Sequence, residues 1–150
     1  MNELYIVRHG LIDCKTLMLD EDGKKLSEDL VVILKSIKID FIASSSEKRC
    51  IETLLPISKD RRLQIQTYCK EDFINLSPLK DALLHYDSTS LICYRIEEIN
   101  CILKVLNQNI FTVENKDSGY EKIIHLFIND RQVVDYKEIP TNFKKKKCQT

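Results

Sequence analysis

The feature that most constrains the fold is the apolar run Leu4-Tyr5-Ile6-Val7, followed at once by Arg8-His9-Gly10. Four consecutive apolar residues predict a short buried strand. The Arg-His pair then falls at the C-terminal end of that strand, and the glycine releases the chain into a loop. In open α/β sheets this edge is where ligands bind. We therefore expect Arg8 and His9 to lie at the mouth of an anion-binding site.

The alternation of predicted strands and helices along the chain sets the fold class. Further strands are predicted at 39–43, 63–67 and 90–94, and a hairpin over 121–139 with its turn at Asn129-Asp130. Helices are predicted over 26–37, 50–57, 79–85 and 97–106 from their apolar stripes. This order predicts a mostly parallel sheet with helices on both faces, a three-layer α/β/α domain. We assign residues 1–143 to one domain and 144–150 to a basic, flexible tail.

Two local features bear on the second helix. The serine run Ser44-Ser45-Ser46 precedes it, and serine hydroxyls satisfy the free N–H groups of a helix start. We therefore expect the serines to cap this helix. Pro56 lies inside it and is expected to kink or shorten it.

Length and composition exclude several classes of protein. The chain has 150 residues, of which 31% are charged and 43% hydrophobic, the balance of a soluble globular domain. Its formal net charge of +0 favours neither nucleic acid nor a membrane surface as partner. No apolar stretch approaches the roughly 20 residues of a membrane span, and the start of the chain lacks the pattern of a signal peptide. We expect a cytoplasmic protein.

The cysteines and glycines exclude two kinds of phosphate chemistry. No cysteine is followed by an arginine six residues later, as a cysteine-phosphatase loop requires. The six cysteines also form no C-x-x-C pair, so a zinc or redox motif is not supported. With three glycines in the chain, no glycine-rich phosphate loop is present. We interpret the cysteines mainly as reduced core residues, since a buried thiol behaves as a small apolar group. They are Cys14, Cys50, Cys69, Cys93, Cys101 and Cys148.

A second motif, over residues 40–53, reads Asp-Phe-Ile-Ala-Ser-Ser-Ser-Glu-Lys-Arg-Cys-Ile-Glu-Thr. Together with Arg8-His9-Gly10 it resembles the histidine phosphatase superfamily, also called phosphoglycerate mutase-like. In that family a strand is followed by Ser-Ser-Pro-x-x-Arg-Ala-x-x-Thr, so that Ser46 stands for the proline and Cys50 for the alanine. Gly23 is placed where the family opens a helix with a glycine. The resemblance covers roughly residues 1–110. The short segment between the third and fourth strands implies an open site, as in the small phosphohistidine-phosphatase-like members.

The resemblance implies a phosphate pocket with a histidine nucleophile. His9 takes the position of the residue that attacks phosphorus, and Arg8 and Arg49 take those that hold the phosphoryl oxygens. The residue types suit the chemistry, because guanidinium groups bind oxyanions through directed, charge-assisted hydrogen bonds. A neutral imidazole is a competent nucleophile near neutral pH. This chemistry requires no metal and no cofactor, and we expect none.

The departure from the family pattern lies after the fourth predicted strand. Where the family has a second histidine, this chain has Arg95, followed by Glu97 and Glu98. An arginine keeps a permanent positive charge and can hold a phosphoryl oxygen, but it cannot shuttle a proton. Either Arg95 faces the pocket, or the following glutamates draw it away as an ion pair. The nearest candidates for the family's acid are Glu71 and Asp72.

Two functional hypotheses follow. The first is a phosphatase that hydrolyses phosphomonoesters or phosphohistidine through a phosphohistidine on His9, with activity weakened by the change at Arg95. The second is a catalytically degenerate protein that binds phosphate or a phosphoprotein and acts as a regulator. The partner is in either case a small phosphomonoester or a phosphoprotein.

Overall fold

A computed structural model describes residues 1–68, 87–106, 122–130 and 132–141, and the structural statements below concern these residues. The strands are β1 (Asn2–Arg8), β2 (Phe41–Ser44), β3 (Ile65–Thr67), β4 (Thr89–Tyr94), β5 (Lys122–Asn129) and β6 (Gln132–Pro140). The helices are α1 (Glu21–Ile33), α2 (Lys48–Arg61) and α3 (Ile96–Val105). The helix predicted over 79–85 and the tail predicted over 144–150 lie outside the described residues.

The strands form one sheet in the order β3-β2-β4-β1-β5-β6. Its first four strands are parallel to one another, whereas β5 runs antiparallel to β1 and β6 antiparallel to β5. The prediction of a mostly parallel sheet is therefore correct for this four-stranded part alone. The hairpin predicted over 121–139 accounts for the rest, because two strands joined by a tight turn must be antiparallel.

Helices cover both faces of the sheet, which confirms the three-layer α/β/α prediction. Alternate residues of β1 point to opposite faces, as the two-residue period of a strand requires. Leu4 and Ile6 pack in the cluster that contains α3, and Tyr5 and Val7 pack in the cluster that contains residues of α1 and α2. All four are at most 4% exposed, so β1 lies in the centre of the core.

The prediction that the serines cap α2 is wrong, and of the two effects predicted for Pro56 the shortening does not occur. The N-cap residue of α2 is Glu47, and its side chain makes no capping hydrogen bond. The serines bond elsewhere: the Ser44 hydroxyl donates to the Ser45 carbonyl, and the Ser45 hydroxyl accepts from the Glu47 backbone N–H. Pro56 does not shorten the helix, which continues to Arg61.

The remaining predictions concern the cysteines and the membrane. Cys50 and Cys93 are fully buried, as expected of core thiols, whereas Cys14 and Cys101 are exposed; the prediction is wrong for these two. Cys69 and Cys148 lie outside the described residues. Among the described helices, none combines the length and apolar character needed to cross a bilayer.

Candidate active site

Three parallel strands end side by side at one edge of the sheet. Arg8, the last residue of β1, is paired with Tyr94, the last residue of β4, and Ser44 at the end of β2 is paired with Cys93. The chain therefore leaves the sheet at adjacent points, through His9, Ser45 and Arg95. This is the carboxyl edge of the parallel strands, where α/β sheets bind ligands.

A cavity of about 290 Å³ opens at this edge. Four of its lining residues are those that the sequence singled out: Arg8, His9, Arg49 and Arg95. Ile12, Ile96 and Glu97 complete the described lining. One histidine and three arginines thus line one cavity, a composition suited to a small oxyanion.

The ring of His9 is fixed by the residue after it. Its Nδ1 lies 2.7 Å from the Gly10 carbonyl oxygen, and His9 is 6% exposed. A carbonyl only accepts hydrogen bonds, so Nδ1 carries the proton and the lone pair of the neutral ring is on Nε2. Burial lowers the pKa of His9 to about 4, and the positive charges of Arg49 and Arg8 act in the same direction. His9 is therefore neutral at pH 7.

Thr53 joins the two sequence motifs. Its hydroxyl oxygen accepts the Gly10 backbone N–H at 2.9 Å, and its hydroxyl donates to the Arg49 carbonyl at 2.6 Å. Thr53 is fully buried. The end of the first motif is thus held to the first turns of α2. Thr53 is the last residue of the second motif, and its position there is the one sequence feature that points to this role.

The loop that follows His9 packs tightly against the start of α1. A Cβ on Gly10 would lie 2.8 Å from the Gly23 Cα, and a Cβ on Gly23 would lie 2.2 Å from the Leu11 backbone oxygen. Glycine is needed at both positions because two backbones approach closely. The start of α1 is fixed by Asp20, whose side chain accepts the Gly23 N–H at 2.7 Å.

Arg95 lines the cavity and is also ion-paired. Its Nε lies 3.1 Å from Oε1 of Glu98 and 3.1 Å from Oε1 of Glu47. Sequence reasoning had set the pocket against the ion pair, and in the structure Arg95 has both. Partial burial by itself lowers the pKa of Arg95, but the hydrogen bond to Glu98 and the charge of Glu47 outweigh it and raise the pKa. Arg95 is therefore permanently charged.

Glu47 is a further residue of the site that the sequence did not reveal. Its Oε2 accepts a hydrogen bond from Nε of Arg49 at 2.6 Å and lies 2.6 Å from Nη2 of the same residue, while its Oε1 lies 3.1 Å from Nε of Arg95. One carboxylate thus contacts two of the three guanidinium groups. It occupies a variable position of the second motif, so nothing in the sequence pattern marked it.

Part of the chain matches a known protein family. Residues 4–73 match the family model of the histidine phosphatase superfamily, branch 1. The chain has the histidine phosphatase fold. No curated protein sequence matches it.

Solved structures of the same fold are phosphatases of several kinds. The protein histidine phosphatase SixA, complexed with tungstate, aligns with a TM-score of 0.71 at 14% identity over 92% of this chain and 96% of its own. Phosphoserine phosphatase from Entamoeba histolytica, in complex with 3-phosphoglyceric acid, aligns with a TM-score of 0.62 at 15% identity. The alignment covers 97% of this chain and 98% of the phosphatase. Mycobacterial glucosyl-3-phosphoglycerate phosphatase, in complex with inorganic phosphate, aligns with a TM-score of 0.65 at 11% identity. The alignment covers 95% of this chain and 98% of that phosphatase. The resemblance inferred from the two motifs is confirmed.

Not every predicted site residue can be placed in this histidine phosphatase fold. Glu71 and Asp72, the candidate acids, lie outside the described residues. Glu97, predicted with Glu98 as an alternative partner of Arg95, lines the cavity instead. His125 lies in β5, stacked on Tyr5 with ring centroids 4.0 Å apart, and is a residue of the sheet.

Proposed function

We propose that this protein is a phosphatase that hydrolyses phosphomonoesters or phosphohistidine through a phosphohistidine on His9. The observation that carries the proposal is the neutral His9, with its lone pair on Nε2, in a cavity that three arginines help to line. A neutral ring nitrogen supplies the nucleophile without prior loss of a proton. The arginines offset the negative charge on the phosphoryl oxygens.

The reaction would proceed in two displacements. Nε2 of His9 attacks phosphorus, the N–P bond forms, and the P–O bond to the leaving group breaks. The leaving oxygen takes a proton; the candidate donors are Glu71 and Asp72, from the sequence, and Glu97, which lines the cavity. Water then attacks the phosphohistidine, releasing inorganic phosphate and restoring neutral His9.

The test is turnover of an aryl phosphate and of a phosphohistidine peptide in the presence of EDTA, with His9→Asn as the matched control. Asparagine can still donate to the Gly10 carbonyl but has no nucleophilic ring nitrogen. We expect activity that EDTA leaves intact and that the variant loses, together with an acid-labile, base-stable phosphoenzyme in the wild type. Activity that survives His9→Asn would refute the proposal.

A second candidate is a protein that binds phosphate or a phosphoprotein without turnover. It is favoured by Arg95, since a permanently charged guanidinium cannot exchange a proton during the reaction. This candidate predicts a thermal shift with phosphate, sulfate or vanadate that Arg8→Ala abolishes, and no hydrolysis across a panel of phosphomonoesters. Hydrolysis that depends on His9 would exclude it.

A further inference from the structure

The contacts of Glu47 give it a role of its own in this site. Its carboxylate reaches Arg49 and Arg95 through both oxygens. The residues that line the cavity include both arginines, whereas Glu47 is not among them. Glu47 therefore holds the two guanidinium groups from outside the space that an anion would occupy.

The atoms in contact show which part of each guanidinium is held. The Glu47 carboxylate contacts Nε and Nη2 of Arg49 and also Nε of Arg95. The same Nε of Arg95 contacts Glu98. A guanidinium carries five N–H donors in a rigid plane. Fixing it along the Nε edge leaves Nη1 of Arg49 and both Nη atoms of Arg95 outside these contacts, and at the same time sets the plane of each group.

The N-cap position of Glu47 supports the same conclusion. Glu47 precedes α2 in an extended conformation, with φ −72° and ψ 138°, and its side chain makes no capping hydrogen bond. Its backbone N–H is tied to the Ser45 hydroxyl at 3.2 Å. The side chains that ordinarily bond the N–H groups of the first turn from this position are the shorter Ser, Thr, Asp and Asn. Here the Glu47 carboxylate bonds two arginines, one on α2 and one at the start of α3.

We propose that Glu47 is a positioning residue that fixes Arg49 and Arg95 as a single oxyanion-binding wall. This inference rests on the proposed phosphate site. It explains how an arginine serves at the position of the family's second histidine: a long, flexible side chain is held in one orientation by carboxylates on either side. Of the two arginines, Glu98 contacts Arg95 and not Arg49, whereas Glu47 contacts both and so links them.

The direction in which replacing Glu47 changes anion affinity distinguishes a positioning role from simple charge compensation. If Glu47 only neutralised the arginines, its replacement by a neutral residue would strengthen anion binding. If it orients them, the same change weakens binding, because both guanidinium groups must then be ordered when the anion arrives. We expect Glu47→Gln to weaken tungstate binding about tenfold, the size of a charge-assisted hydrogen bond.

The experiment is a double-mutant cycle on tungstate affinity, measured by calorimetry with wild type, Glu47→Gln, Arg95→Gln and the double variant. Glu28→Gln, an exposed residue of α1, is the control for the lost charge. Because Glu47 is about a third exposed and caps nothing, its variant should fold, which urea unfolding checks. We expect the Glu47 change to cost clearly less in the Arg95→Gln background than in the wild type.

The outcomes separate this inference from the proposed function. A wild type that binds neither tungstate nor phosphate would overturn both. A wild type that binds, with unchanged or tighter binding in Glu47→Gln, would overturn the positioning role alone. Equal losses in the two backgrounds would show that Glu47 does not act through Arg95 and would also overturn it. Arginine Nε–H resonances that shift in Glu47→Gln and not in Glu28→Gln would support it.

Discussion

Burial of His9 next to two arginines makes the stability of the fold depend on pH. The pKa of His9 falls from 6.5 to about 4 on folding, so the unfolded chain binds a proton that the folded chain does not. Stability is then intact above pH 6.5 and is lost as the pH falls towards 4. At about 1.4 kcal/mol for each unit of pKa, the full loss is about 3 kcal/mol, of which about 2 kcal/mol appears between pH 8 and pH 5.

The matched variant isolates this contribution from that of the carboxylates and His125. His9→Asn removes the titrating group and keeps a donor for the Gly10 carbonyl. The assay is urea unfolding of both proteins at pH 5, 6, 7 and 8. We expect the wild type to lose about 2 kcal/mol more than the variant between pH 8 and pH 5, a difference in midpoint of about 1 M urea. Parallel curves for the two proteins would refute the assignment of a neutral, buried His9.

Three further predictions address the supports of the site and its charge. Thr53→Val should destabilise the fold by about 1–3 kcal/mol in urea unfolding, because the Gly10 N–H loses its buried acceptor; the exposed control Thr67→Val should change little. Gly23→Ala should cost about 1–3 kcal/mol, despite the better helix propensity of alanine, since its Cβ would meet the Leu11 backbone oxygen. An unchanged free energy of unfolding in Thr53→Val or in Gly23→Ala would contradict the argument made for that residue. Sulfate affinity should stay constant from pH 6 to 9, because Arg95 is charged and His9 neutral throughout; a titration step in that range, measured by calorimetry, would contradict this.

The fold was predictable where the signal is local. Residues 4–7 of β1 are buried and form a continuous apolar run. Leu26, Leu30 and Leu34, in and just after α1, are buried and recur at helical spacing, so the sequence alone indicates both elements. The shortening predicted at Pro56 does not occur, because burial of the neighbouring side chains offsets the cost of a proline inside the helix. A proline inside a helix costs about 3 kcal/mol. Leu54 and Ile57, both fully buried beside it, each contribute about 1.5–3 kcal/mol, so the helix continues to Arg61.

The site was predictable only as far as its motifs. Four predicted residues line the same cavity because they lie at or after the ends of adjacent strands. Arg8 ends β1, His9 and Arg95 directly follow β1 and β4, and Arg49 lies in the first turn of the helix after β2. Glu47 was not predictable, since its role depends on the distance between the start of α2 and the loop before α3. That distance is set by the pairing of β2 with β4, which is a property of the folded sheet.

An arginine at the edge of an anion site has an entropic cost, which the neighbours of Arg95 reduce. An arginine side chain has more rotatable bonds than a histidine, so an unsupported one is poorly ordered and binds an anion weakly. Here its Nε lies between carboxylates from the start of α2 and the first turn of α3. Of these, Glu98 also accepts the Arg95 backbone N–H and so fixes the main chain at the same point. Residues at two helix starts thus hold Arg95 in one orientation, and its positive charge is constant across the physiological pH range.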